Sequence, residues 1–96
     1  MVYAKKVDKN QAQVVKKLRD LGADVYLLHT VGHGIPDLLC AYEGHTLLIE
    51  VKDGPNKKFT PDQLKFIANW KGGVLARIDN EEAAERLLKS IDPIVK

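Results

Sequence analysis

Two apolar runs joined by a short break constrain this chain most. They read Asp37-Leu38-Leu39-Cys40-Ala41-Tyr42 and Thr46-Leu47-Leu48-Ile49-Glu50-Val51-Lys52, with Glu43-Gly44-His45 between them. Two β-prone runs around a glycine-containing turn predict a hairpin. In a hairpin the start of the first strand lies beside the end of the second. Asp37, Glu50 and Lys52 are therefore expected at one end of a sheet. Side chains alternate along a strand, so Leu48, Glu50 and Lys52 share one face while Leu47, Ile49 and Val51 share the other. Alone, a glutamate and a lysine at a strand end describe a weak surface ion pair. An aspartate one strand away, behind Gly34 and Pro36, turns the pair into a gathered set of charges.

Around the hairpin the sequence predicts one α/β domain in the order α-β-β-β-α-β-α, a four-stranded mixed sheet flanked by helices. Val14, Val15, Leu18 and Leu21 repeat at helical spacing over residues 8–21, with Gly22 as a stop and Asp8 and Gln11 as N-cap and N3 of a capping-box-like start. Residues 23–30 read as a first strand, followed by a Val31–Ile35 loop rich in glycine. Asp53-Gly54-Pro55-Asn56 breaks the chain. Thr60-Pro61-Asp62-Gln63 is a clear helix start, with Thr60 as cap, Pro61 at the first helical position and Gln63 closing the box. That helix is expected to run to about Lys71 and to turn Leu64, Phe66, Ile67 and Trp70 inward. Val74–Ile78 is the fourth strand. Asp79 or Asn80 caps a last helix that buries Ala84, Leu87, Leu88 and Ile91.

With 96 residues, 45% of them hydrophobic and 29% charged, the chain has the make-up of one ordinary globular domain. No apolar stretch is long enough to span a bilayer, and no signal peptide is expected. Cys40 is the only cysteine, which excludes an internal disulfide and points to a reducing compartment. The net charge of +2 is weak evidence for any partner. Its distribution is more informative: Lys5, Lys6, Lys9, Lys16, Lys17 and Arg19 load the first twenty residues, which suits either a solvated helix face or a surface that tracks a phosphate backbone. Zinc-finger spacing, a phosphate-binding G-x-x-x-x-G-K-[ST] loop and a G-x-S-x-G elbow are all absent from the sequence.

The gathered charges suit metal-dependent phosphodiester hydrolysis. Mg²⁺ binds few protein carboxylates and keeps several waters, so Asp37, Glu50 and the main-chain carbonyl of Val51 form a reasonable ligand set. Two neighbouring carboxylates repel each other, which is a reason to expect a cation. Lys52 is placed to orient a water or to stabilise charge building on the phosphate.

These residues carry a resemblance. Gly34-Ile35-Pro36-Asp37-Leu38-Leu39 followed by Ile49-Glu50-Val51-Lys52 resembles the PD-(D/E)xK nuclease superfamily, and most closely the VRR-NUC family with its small stand-alone phage and bacterial versions. The likeness runs through Leu27, Phe59-Thr60-Pro61-Asp62-Gln63 and Gly72-Gly73, over roughly residues 5–90. It implies a restriction-endonuclease-like core. It also implies a Mg²⁺-dependent endonuclease, with Mn²⁺ as a substitute, acting on DNA and selective for four-way (Holliday) junctions or flaps. By position, Asp37 and Glu50 are implied as metal-binding acids, Lys52 as the catalytic lysine, and Gln63 as an active-site glutamine, alongside its capping role. Many relatives carry a glutamate on the first helix where this chain has Gln11. The resemblance thus leaves Gln11 or Asp8 as groups near the metal's waters and favours one metal. His33, Lys9, Lys57 and Lys58 are candidate substrate contacts. A homodimer in the cytoplasm of a bacterium or phage-infected cell is the expected unit. The alternative is a DNA-binding module of the same fold that no longer cleaves.

Overall fold

The computed structural model describes residues 9–94, so Asp8 lies outside the described residues. Its order is α1 (Gln11–Asp20), β1 (Asp24–Leu27), β2 (Leu38–Tyr42), β3 (His45–Val51), α2 (Pro61–Asn69), β4 (Val74–Ile78) and α3 (Glu81–Lys89). This is the α-β-β-β-α-β-α layout expected from the sequence. The four strands lie side by side in chain order, β1, β2 and β3 antiparallel and β4 parallel to β3. The hairpin register pairs Leu38 with Ile49 and Tyr42 with His45. Extended by one residue, that register sets Asp37 opposite Glu50.

The hairpin turn is tighter than expected. Glu43 and Gly44 have φ of 51° and 86°, the two left-handed residues of a two-residue turn that matches strand twist. His45 consequently belongs to β3 rather than to the turn. β1 ends at Leu27, short of Thr30; one further bond, Leu28 N–H to the Asp37 carbonyl at 2.6 Å, carries the pairing to the site.

One sheet face is the apolar core. Leu38, Cys40, Leu47, Ile49, Val51 and Ile78 meet Val14, Val15 and Leu18 of α1 and Ala84 and Leu88 of α3, all buried, as alternation along the strands requires. The other face carries Leu48, Glu50 and Lys52, and α2 lies there. On α2 only Gln63 is buried, whereas Leu64, Ile67 and Trp70 are 55%, 37% and 38% exposed. None of the three is buried as expected: Leu64 is the most exposed, whereas Ile67 lines a pocket over the sheet with Leu75 and Gln63. The sheet face beneath α2 presents Glu50 and Lys52 beside Leu48, and the helix docks there through Gln63 of its polar first turn, leaving Leu64 exposed. Phe66 is half-buried and stacks on Trp70, ring centroids 5.4 Å apart.

The start of α1 also differs from expectation. Asn10 is its N-cap, which makes Gln11 the first helical residue and not N3. The Asn10 side chain does not cap. It donates instead to the carbonyls of Lys52 at 2.9 Å and Asp79 at 2.7 Å, tying α1 to the ends of β3 and β4.

Candidate active site

Among the described residues the buried polar or charged side chains are Gln11, Asp37, Glu50, Lys52 and Gln63, none more than 8% exposed, and the last four gather at the end of β3. Local structure explains how each arrives. Alternation sends Glu50 and Lys52 to the α2 face, and Lys52 N–H bonds to the Ile78 carbonyl at 2.9 Å, holding the chain in line after β3 ends. The capping box sets Gln63: Thr60 Oγ1 accepts from its N–H at 3.2 Å, and its Oε1 accepts from Thr60 N–H at 2.9 Å. That first turn points the Gln63 amide at the strand.

The amide bridges the two charges of β3. Nε2 donates to Glu50 Oε2 at 2.7 Å, and Oε1 accepts from Lys52 Nζ at 2.8 Å. Lys52 Nζ lies 3.3 Å from the same Glu50 oxygen and 5.6 Å from the centroid of the Phe59 ring. Capping and site roles of Gln63 coincide in one side chain. Across the hairpin, Asp37 Oδ2 accepts from Val51 N–H at 2.9 Å. In an extended strand the N–H and C=O of one residue point to the same side, so the Val51 carbonyl faces the Asp37 edge as well. Asp37, Glu50, Val51, Lys52 and Gln63 thus come together.

The donor set fits Mg²⁺ better than a closed cage. Two carboxylates and a main-chain carbonyl are hard oxygen donors for a cation that keeps several waters. Among the described residues no group of three or more His, Cys, Asp or Glu is arranged to hold a metal ion. Burying this many charged groups stabilises a fold weakly at best. Glu50, Lys52 and Gln63 form one hydrogen-bonded network, with Asp37 held beside it by Val51 N–H.

Other candidates fall apart from this cluster. His33 is exposed at φ 57° and lines a cleft of about 390 Å³ with Asp62, Lys65, Phe66 and Trp70. None of the buried acids lines that cleft. Lys9 is exposed and 4.0 Å from Asp53, and Lys57 and Lys58 are exposed on the loop before α2. Gln11 is buried with no hydrogen-bond partner on Oε1; it shares a groove of about 530 Å³ with His29, whose Nδ1 is likewise buried and unpartnered. A buried polar atom left unmatched costs roughly 1–3 kcal/mol, so this end of the sheet carries polarity that its own contacts do not satisfy.

Two residues escaped the sequence reading. Asn10 fastens α1 to the strand ends, as described. Arg77 pairs with Glu50 in the β3–β4 register and lines with it, Gln63, Phe59, Gly34 and Pro36 a pocket of about 230 Å³. Only the parallel register reveals that proximity; in sequence, Arg77 is one charge in a short strand. No protein-family model, no curated protein and no solved structure matches this chain.

Proposed function

We propose that this chain is a Mg²⁺-dependent endonuclease of the PD-(D/E)xK type, nearest in pattern to VRR-NUC proteins, which hydrolyses DNA phosphodiester bonds. The observation that carries the reading is the buried Lys52 ammonium, held between Glu50 and Gln63 at the strand end where Asp37 meets Val51. A lysine is costly to bury, and here it is aimed and fixed rather than left to solvent. Asp37, Glu50 and the Val51 carbonyl would hold the cation. Bound there, Mg²⁺ would offset phosphate charge and make a water a better nucleophile near neutral pH. Lys52 donates hydrogen bonds toward the reacting phosphate or the attacking water. Gln63 holds Lys52 and Glu50 in register with one another, so that their geometry does not have to be assembled during the reaction.

The substrate class in this proposal is branched DNA, four-way junction or flap, bound by a homodimer, because one small site cuts one strand and a symmetric cut needs two. A reducing cytoplasm, bacterial or that of a phage-infected cell, suits the single buried Cys40. Among the described residues no helix is long and apolar enough to cross a membrane.

A second reading, a DNA-binding module that no longer cuts, draws on Gln11, which brings no charge where many relatives carry an acid. Incubation of purified protein with junction, flap and linear duplex DNA, in Mg²⁺ and in chelator, separates the two. Cutting that needs metal and vanishes in Asp37→Ala supports the nuclease. Binding without cutting in Mg²⁺ or Mn²⁺ supports the module.

A further inference from the structure

The loop between β3 and α2 is held by a residue of β4. Arg77 Nη2 donates to the carbonyls of Gly54 at 2.8 Å and Lys57 at 2.9 Å, and Nη1 lies 3.6 Å from Asp79 Oδ2. The loop closes on itself weakly: Lys57 N–H reaches the Gly54 carbonyl at 3.4 Å. Much of its fixation therefore comes from the guanidinium, which reaches both carbonyls from Nη2 while Nη1 faces Asp79, a planar two-ended arrangement that a lysine ammonium does not reproduce. Arg77 is itself oriented by Asp79, whose carbonyl takes a hydrogen bond from Asn10 at 2.7 Å.

What the loop presents is charge. Lys57 and Lys58 are both exposed, and neither appears in an ion pair within 4.0 Å among the described residues. The next residue, Phe59, places its ring 5.6 Å from Lys52 Nζ. Lys58 thus adjoins the residue whose ring faces the candidate catalytic lysine, and the carbonyl of its neighbour Lys57 is held by an arginine that pairs in register with Glu50. Anchoring matters because a loose loop loses backbone conformational entropy on binding, a cost that holding its carbonyls removes in advance.

We infer that Lys57 and Lys58 form a subsite for DNA phosphates beside the bond to be cut, and that Arg77 is the positioning residue that builds it. The inference rests on the nuclease reading for its substrate class. Arg77 directs Nη2 at the loop carbonyls and Nη1 at Asp79, so its effect on DNA passes through the lysines.

The test measures affinity of the full chain for flap DNA across a NaCl series, with Ca²⁺ replacing Mg²⁺ so that binding is read without cutting. Lys57→Ala/Lys58→Ala is expected to weaken binding about tenfold and to lower the salt slope by about two. Arg77→Ala is expected to reproduce most of that loss, Arg77→Lys to rescue little of it, and the triple variant to be no worse than the lysine pair. In Mg²⁺ the loss in Arg77→Ala falls on KM rather than kcat. Circular dichroism melting identifies any variant that has unfolded, and the exposed lysine pair keeps the test decisive if Arg77→Ala has. Additive losses from Arg77→Ala and the lysine pair overturn the positioning role, because Arg77 then touches DNA itself. Unchanged binding in the lysine pair overturns the subsite. A wild type that binds in this salt-dependent way but never cuts refutes the nuclease while sustaining the subsite; one that cuts while the lysine pair binds normally does the reverse.

Discussion

Gln63→Ala tests whether the bridge between Glu50 and Lys52 is as central as its geometry indicates. The substitution removes a donor bond to Glu50 at 2.7 Å and acceptor bonds from Lys52 at 2.8 Å and Thr60 N–H at 2.9 Å. Two charge-assisted bonds at roughly 1.5–3 kcal/mol each and one neutral bond near 1 kcal/mol sum to about 4–7 kcal/mol. Glu50 and Lys52 retain each other at 3.3 Å. Water entering the vacated space recovers part of the rest, leaving a net loss of roughly 2–4 kcal/mol. For a domain of this size that is a fall in Tm of at least about 8 °C. Thr60→Ala is the internal control, because it removes the cap to Gln63 N–H, worth about 1 kcal/mol, and leaves the bridge intact. Urea unfolding followed by circular dichroism reads both. If Gln63→Ala costs no more than Thr60→Ala, the amide is a cap alone and the bridging argument is wrong.

Further expectations concern the frame around the site. Gly34 has φ +76°, and a Cβ there would lie 2.3 Å from the Asp62 carbonyl oxygen; Gly34→Ala should cost about 2–3 kcal/mol in urea unfolding and shift the Gln63 side-chain amide resonance. An unaltered Gln63 resonance would show that the loop does not buttress α2. Leu64→Ser should change stability by less than about 0.5 kcal/mol, since Leu64 is exposed. Leu88→Ala should cost about 2–5 kcal/mol, and similar losses at both positions would contradict the exposure of Leu64. Burial first, and the Asp24 charge second, push the Cys40 thiol from its ordinary 9.0 up to about 11. The folded chain then keeps a proton that the unfolded chain releases, so this contribution to stability is complete below pH 9.0 and lost between there and about 11. Iodoacetamide at pH 8 should accordingly label Cys40 only after denaturation; rapid labelling of the native chain would refute that environment.

Legibility in the sequence followed how local the determining interaction is. The hairpin was readable because alternation and a glycine turn act within a few residues, and the Asp37–Glu50–Lys52 grouping follows from the hairpin alone. Thr60 and Gln63 announced their capping box for the same reason. Misreadings arose where a neighbour in space decided the outcome. Leu64, Ile67 and Trp70 have helical apolar spacing, which says that a face exists but not which surface meets it; here the polar strand end claimed the helix. Asn10 has the residue type of a cap, yet two distant carbonyls, those of Lys52 and Asp79, take its side chain. Arg77 stayed invisible because its partners lie 20 and 23 residues away, joined to it only by the parallel β3–β4 register.

The measurement that bears most directly on the proposed chemistry is strand cutting on a labelled flap or four-way junction, compared across wild type, Asp37→Ala and Lys52→Met. Cutting by the wild type in Mg²⁺, none in chelator, and a loss of at least about 100-fold in both variants with DNA affinity retained is the expected result. Cutting that persists in chelator, or in folded Lys52→Met at the wild-type rate, contradicts it.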